Sequence, residues 1–325
     1  MNRRSGILCA AALLLAMSAP VGVSVARAEQ PISIIVAYQA GGTTDTLARV
    51  LGARLSEKLG TPVIVENRAG ATGQIGSKYV AKAAPDGRTL QLATQTTHAV
   101  APSLYPNIGY EPMKDFTPIS LVAWSPLVLV ANPSFKPNSV QDLIAYAKAH
   151  PNDLSYATGG RGDGSFMAAM FFNNMAKISP VAVPFPGEAP ALPQVMGGQL
   201  PYMFCSAPTV AAAIEAGQLK GIAVTSKVRA ANLPKIPTMA EEGLPGYEMV
   251  NWWGIFGPAN MPPDLVKKLN TAFTDILKEP ETRAKLQQLG YELTGTSAED
   301  FTRYLAAENE KWAALVKAEG STATR

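Results

Sequence analysis

Histidine and cysteine are almost absent from this chain. Two histidines, His98 and His150, and two cysteines, Cys9 and Cys205, stand among 325 residues. Spaced Cys/His sets for zinc and the His-Glu-x-x-His helix motif are therefore missing, and no metal or cofactor is expected. Cys9 falls in an N-terminal leader, which leaves Cys205 alone; without an internal disulfide, stability must come from burial. A dominant charge is lacking too. The chain has 28 Lys+Arg and 25 Asp+Glu, but Arg3, Arg4 and Arg27 belong to the leader, so the remainder is formally neutral. With no basic stripe, nucleic-acid binding is not expected. Beyond the leader, no run is long and apolar enough to cross a bilayer.

The leader is legible residue by residue. Asn2-Arg3-Arg4 is a basic start, Ile7 to Met17 is a short apolar run, and Ala26-Arg27-Ala28 is a small-x-small cleavage pattern. Cleavage after Ala28 is expected, with the mature chain exported to the periplasm of a Gram-negative cell.

The mature chain alternates short apolar runs with amphipathic stretches, which reads as parallel α/β architecture. Strand Ser33–Tyr38, helix Thr44–Leu59, strand Val63–Val65, helix Gln74–Ala84 and strand Thr89–Thr94 form a first set. Leu121–Val130 (LVAWSPLVLV) is too long and continuous for an edge strand and reads as a crossing between lobes. A second α/β set follows over 140–225. The chain then returns through a proline-rich stretch, Leu233 to Pro263, and ends in helices Asp264–Lys278, Thr282–Leu289 and Ala298–Ala318. The expected organisation is a signal peptide (1–28), a first lobe (29–125 and 225–325) and a second lobe (126–224). Two lobes joined by two crossings place a ligand cleft between them, the geometry of a hinge-bending binding protein.

Residues 36–49, VAYQAGGTTDTLAR, carry the chain from strand into helix. The stretch lacks the third glycine of a dinucleotide fingerprint and the lysine of a phosphate loop. It still suits an anion: Gly41 and Gly42 let a ligand approach the backbone, the helix behind them begins with unpaired N–H groups, and Thr43 and Thr44 add hydroxyls. Asp45 reads as a capping residue. A second turn of this kind, Thr158-Gly159-Gly160-Arg161-Gly162-Asp163-Gly164-Ser165, lies in the other lobe. Two such turns facing across a cleft would grip the two ends of a small acid. Arg161 is a candidate partner for a carboxylate, and pairing with Asp163 or pointing to solvent are the alternatives.

Catalysis has little support. His98, after Thr96 and Thr97 at a strand end, is placed to line the cleft, whereas His150 is explained by a helix end. A Cys205–His98 nucleophile pair is conceivable without any local motif, and Ser165 lies outside the Gly-x-Ser-x-Gly elbow. The aromatics Phe171, Phe172, Trp252 and Trp253 read as core. Tyr38, Phe166 and Phe185, beside turns, would wall a pocket for a ligand with an aromatic or apolar body. Gln39, Cys205 and Ser206 complete the candidate ligand-binding set.

Six blocks in a fixed order carry a resemblance over nearly the whole mature chain: VAYQAGGTTDTLAR (36–49), VIVENRAGATGQIG (63–76), AKAAPDGRTL (81–90), PSLYPNIGYEPMKDFTPISLVA (102–123), LKGIAVTS (219–226) and LPKIPTMAEEGLPGYE (233–248). Together with the closing helix around Trp312, they resemble the extracytoplasmic solute receptors of tripartite tricarboxylate transporters, the Bug receptors. The resemblance implies a type II, Venus-flytrap periplasmic binding protein, monomeric and not an enzyme, that delivers a small organic carboxylate to membrane permease subunits. It also implies that amides of the first turn hold a ligand carboxylate. The chain departs from the family where specificity is set. Pro-Phe-x-Pro-Gly-Gly is here Ala37 to Gly42, Tyr-Lys-Gly is Phe185-Pro186-Gly187, Phe-Asp-Asn is Phe204-Cys205-Ser206, and Arg161, Asp163 and Phe166 replace Asn, Thr/Ser and His. These changes point to an aromatic mono- or dicarboxylate, with any second carboxylate near Thr158–Ser165. A sensing subunit on the same fold and a periplasmic hydrolase are the competing classes.

Overall fold

The structure, a computed structural model, describes residues 30–151 and 153–318; the leader lies outside the described residues. In the first sheet, β1 (Ile32–Val36) pairs in parallel with β2 (Val63–Asn67) and β3 (Thr89–Thr94). Ile34, Ile35 and Val36 are fully buried, as a continuous apolar strand covered on both faces requires. Helix α1 (Thr43–Leu59) lays Leu47, Ala48, Leu51 and Leu55 on that sheet, the helical spacing turned into a buried stripe.

One strand belongs to both sheets. β4 (Phe116–Ala131) pairs antiparallel with β9 (Val250–Pro258) from Phe116↔Pro258 to Pro126↔Val250. From Leu127 to Ala131 it pairs instead with β7 (Tyr202–Ser206) and, from Val128, with β8 (Lys220–Val224). The second sheet continues through β5 (Ser155–Thr158) to β6 (Val181–Pro184), both parallel. Helices α5 (Gly164–Ala176), α6 (Glu188–Met196) and α7 (Ala207–Glu215) follow β5, β6 and β7 in turn.

Strand β9 lies within the stretch 233–263, which the sequence marks only as proline-rich. Prolines flank VNWWGIFGP and glycines interrupt it, which hides a strand alternation that the structure makes plain. Trp252 and Phe256 face the cluster that holds the C-terminal helix α10 (Ala298–Ala318), while Trp253 and Ile255 face the cluster under α1. Side chains on successive residues point to opposite faces. Gly254 is required by packing, because a Cβ there would overlap the Phe301 ring of α10.

A buried carboxylate ties α10 to the crossing. Glu308 Oε2 accepts from Trp252 Nε1 and Trp312 Nε1, each at 3.0 Å, and from Gln95 Nε2 at 3.4 Å. Its Oε1 meets Lys311 Nζ at 3.2 Å. One acceptor thus satisfies donors from β9, from α10 and from the turn after β3, groups that would otherwise be buried without partners. Glu308→Leu is expected to cost about 3 kcal/mol or more, since each orphaned buried donor costs about 1–3 kcal/mol; urea unfolding of the variant against the parent protein checks it.

Candidate functional site

The turns after β1, β3, β5, β6 and β7 all lie at the carboxyl ends of their strands, where ligands bind in open α/β sheets. The two lobes touch there. Tyr105 Oη of the first lobe donates to the Arg161 carbonyl at 3.2 Å, and Gly162 packs on Leu104. Asn251, at the start of β9, reaches the second lobe: its Nδ2 donates to Ser206 Oγ at 2.9 Å, and its side chain packs on Gly164.

Residues Gln39, Gly41 and Gly42 of the first turn are exposed. Gly41 has φ +86°, a conformation that a side chain resists. Asp45 fixes the turn from behind: Oδ2 accepts from the Gly41 amide and from Arg49 Nε, and Oδ1 from Arg49 Nη2 and Asn67 Nδ2, all at 2.9 Å. Burial opposes the charge, but these bonds outweigh it and hold the Asp45 carboxyl below its usual range. The N-cap of α1 is Gly42, with φ −80° and ψ 175° and no side-chain cap. Thr44 Oγ1 accepts from Trp253 Nε1 at 2.9 Å, which leaves its own proton free to donate. The result is an exposed helix N-terminus without a side-chain cap, the nearby Asp45 carboxylate being paired with Arg49 behind the turn. Tyr38 stands beside it, its Oη 2.7 Å from Thr94 Oγ1, and burial pushes the phenol up to about 12.

The second turn has the same strand-to-helix form and a different filling. Its N-cap, Asp163, has φ −80° and ψ 168°, nearly the backbone of Gly42, but here a carboxylate occupies the helix end. Asp163 Oδ1 accepts from the Phe166 amide at 2.9 Å and from Ser165 Oγ at 2.7 Å. Ser165 Oγ in turn accepts from the Gly159 amide at 2.7 Å and lies 3.0 Å from Thr158 Oγ1. Next to it, Glu188 at the start of α6 takes the donors at the end of β7. Ser206 Oγ donates to Oε1 and the Ser206 amide to Oε2, both at 3.1 Å, and Cys205 Sγ donates to Oε2 at 3.4 Å. Burial pushes the Asp163 carboxyl up to about 6. Burial, then the neighbouring Asp163 charge, pushes Glu188 up to about 7.

The candidate residues therefore separate. Tyr38, Gln39, Gly41, Gly42, Thr43 and Thr44 gather at the first turn. Thr158, Gly159 and Ser165 gather at the second, with Cys205 and Ser206 beside them around Glu188. Phe166 and Phe185 are half-buried at the ends of the second-lobe turns. Arg161 is exposed and forms no ion pair with Asp163; its backbone carbonyl, not its guanidinium, makes the contact across the cleft.

His98 corrects the expectation of a cleft residue. Its ring is fully buried, with centroids 4.4 Å from both Phe116 and Phe256, and burial pushes its pKa down to about 3. Thr97 beside it is equally buried, and its Oγ1 bonds Thr94 and the His98 ring. The Cys205–His98 pair is not assembled, since Cys205 bonds Glu188 and burial holds its thiol well above the usual value. Glu188 and Asn251 were not legible as site residues, although Gly187-Glu188 opens a helix directly after a strand, as Gly42-Thr43 does.

A profile described as "Tripartite tricarboxylate transporter family receptor" matches residues 47–321. The chain is similar to Rpa4515 of R. palustris, solved with adipate: 35% identity, TM-score 0.83, covering 89% of this chain and 97% of that one. It is similar to MatC of Rhodopseudomonas palustris, solved with bound malate, at 33% identity and TM-score 0.81 over 88% and 98%. The periplasmic binding protein BugD matches at 34% identity and TM-score 0.82 over 90% and 99%. The two-lobe arrangement is thus the mixed α/β fold of periplasmic binding proteins.

The raised carboxyls of Asp163 and Glu188 carry a sign. The folded state holds their protons more tightly than the unfolded chain, so the contribution of these two groups to stability is fully present below the ordinary carboxylate range and is lost as pH rises toward about 7. Thermal melts across that interval are expected to show the decline, and Glu188→Gln, which keeps the shape without the charge, to flatten it.

Proposed function

The chain belongs to the tripartite tricarboxylate transporter receptor family and is a solute-binding receptor, and from that premise we propose that it captures a small carboxylate in the periplasm and delivers it to the family's membrane permease. The favoured ligand class is an aromatic mono- or dicarboxylate. The observation that carries the reading is the uncapped, exposed N-terminus of α1 at the mouth of the cleft. Unpaired amides and the positive end of the helix dipole make it an anion site, and the Thr43 and Thr44 hydroxyls extend the donor set. Adipate and malate are the solutes held by Rpa4515 and MatC, which favours a carboxylate here as well. Tyr38, Phe166 and Phe185, half-buried beside the turns, favour a flat apolar body between the two ends.

The lobes are proposed to close on the ligand by bending where β4 passes from one sheet to the other and where the chain between β8 and β9 returns. Monomeric action and leader cleavage after Ala28 belong to the same proposal. Among the described residues, no helix is long and apolar enough to cross a membrane, so delivery would rest on the permease subunits.

A thermal-shift screen against aliphatic and aromatic mono-, di- and tricarboxylates tests the reading. A ligand at a hundredfold excess over its Kd stabilises the folded state by about 2.7 kcal/mol, a visible rise in melting temperature. No response from any carboxylate would refute it. Gly42→Asp gives a sharper check, because the dihedrals of Gly42 already match those of the capping Asp163 and a Cβ there meets only the Gln39 carbonyl, at 3.8 Å. The new side chain would cap α1 with the protein's own anion. It is expected to hold or raise stability by up to about 1 kcal/mol while abolishing the shift produced by carboxylates.

A further inference from the structure

The two helix ends that face the cleft differ in one respect that bears on the ligand. The end of α1 has no carboxylate at its N-cap, and Asp45 in its first turn is paired with Arg49. At the second lobe, several donors that a ligand carboxylate would seek are already bonded within the protein, most of them to its own carboxylates. The Ser165 hydroxyl and the Phe166 amide go to Asp163, and the Gly159 amide is held by Ser165 Oγ. The Ser206 hydroxyl and amide, with the Cys205 thiol, go to Glu188. Ser206 Oγ also receives Asn251 Nδ2, so the arrangement is braced from the crossing strand. No cation offsets the pair: neither carboxylate forms a salt bridge among the described residues, and the neighbouring Arg161 is exposed.

We infer that Asp163 and Glu188 are specificity-determining residues that reject a second carboxylate, so that the ligand is a monocarboxylate whose far end carries a hydrogen-bond donor, a hydroxyl or an amine. The inference rests on the reading that the ligand's one carboxylate docks at the end of α1. It replaces the expectation of a second carboxylate at Thr158–Ser165, and it sets this chain apart from Rpa4515, whose solved ligand is the dicarboxylate adipate.

The reasoning is electrostatic. A carboxylate ligand arriving at the second turn would face two like charges in a partly desolvated cleft, where like-charge juxtaposition is costly, and would find the donors of Ser165, Phe166, Cys205 and Ser206 already taken. A hydroxyl or amino group reverses both terms, because carboxylate oxygens are acceptors. Burial has raised both carboxyls, with the Asp163 charge adding to the shift of Glu188 and reaching the Tyr38 phenol. A site that already resists two negative charges resists a third.

Calorimetric titration of the purified protein at about pH 8, where both groups are ionised, compares matched pairs: para-hydroxybenzoate and para-aminobenzoate against terephthalate, and the six-carbon ω-amino acid against adipate. Within at least one pair the monocarboxylate is expected to bind at least about tenfold tighter than its dicarboxylate partner, and in Glu188→Gln and Asp163→Asn that preference should shrink to about threefold or less. If, in every pair that binds, the dicarboxylate binds as tightly as its monocarboxylate partner, the inference is overturned and the carboxylate reading stands. If binding is absent across all the pairs while some other carboxylate shifts the melting temperature, the inference also falls alone. Silence from every carboxylate overturns both. A wild-type preference that persists unchanged in both variants overturns the assignment to Asp163 and Glu188.

Discussion

The antiparallel ladder between β4 and β9, running from Phe116↔Pro258 to Pro126↔Val250, is the constraint from which the rest of the structure hangs. One end lies within the first sheet, flanked by β3 on β9 and by the short β10 (Glu292–Leu293) on β4. Past Pro126, β4 continues as a central strand of the second sheet between β7 and β8. Both lobes are therefore registered to one pair of strands. Their side chains fill two cores, and Glu308 gathers the polar edges of Trp252, Trp312 and Gln95 into a single buried acceptor. The position of the cleft turns follows from this frame: they stand at the carboxyl ends of strands whose places the ladder has set.

Upon that frame the chain uses one local design twice and completes it differently. Gly42 and Asp163 hold almost the same backbone angles at the start of α1 and α5. A hydrogen leaves the first helix end open; a carboxymethyl group closes the second. In the first turn the nearby acid, Asp45, sits one layer back, where it ties Gly41, Arg49 and Asn67 together and leaves the front clear. In the second, Asp163 stands at the front. A shift of three residues in the position of an aspartate relative to the helix start changes an anion receiver into an anion donor's neighbour.

Much of this was legible in the sequence, because much of it is local. The strand from 89 to 94 is bounded in the structure by the residues that the sequence pattern names, and the final helix begins at Ala298 as that pattern has it. The glycine pair of the first turn and the capping place of Asp45 are likewise neighbours in the chain. What stayed hidden depends on contacts between distant residues. Strand β9 was masked by Gly254 and Gly257, present because Phe301 and Met261 press against the backbone there. His98 looked like a cleft residue from its place at a strand end, but Phe116 and Phe256 enclose it. Glu188 gains its meaning from Ser206 and Cys205, and a local reading has no means of showing that those donors are occupied.

The contact between the lobes has a consequence for how such a receptor changes over generations. Tyr105 reaches a backbone carbonyl, that of Arg161, and Leu104 rests on Gly162. The carbonyl survives most exchanges of the side chain at 161, so that chain is free to vary while the latch persists. Selectivity, which we propose the side chains at 166 and 185 help to set, is thereby kept apart from this contact. A laboratory library confined to positions 161, 166 and 185 would leave the Tyr105 hydrogen bond to the backbone at 161 and the packing of Leu104 on Gly162 to hold the lobes together.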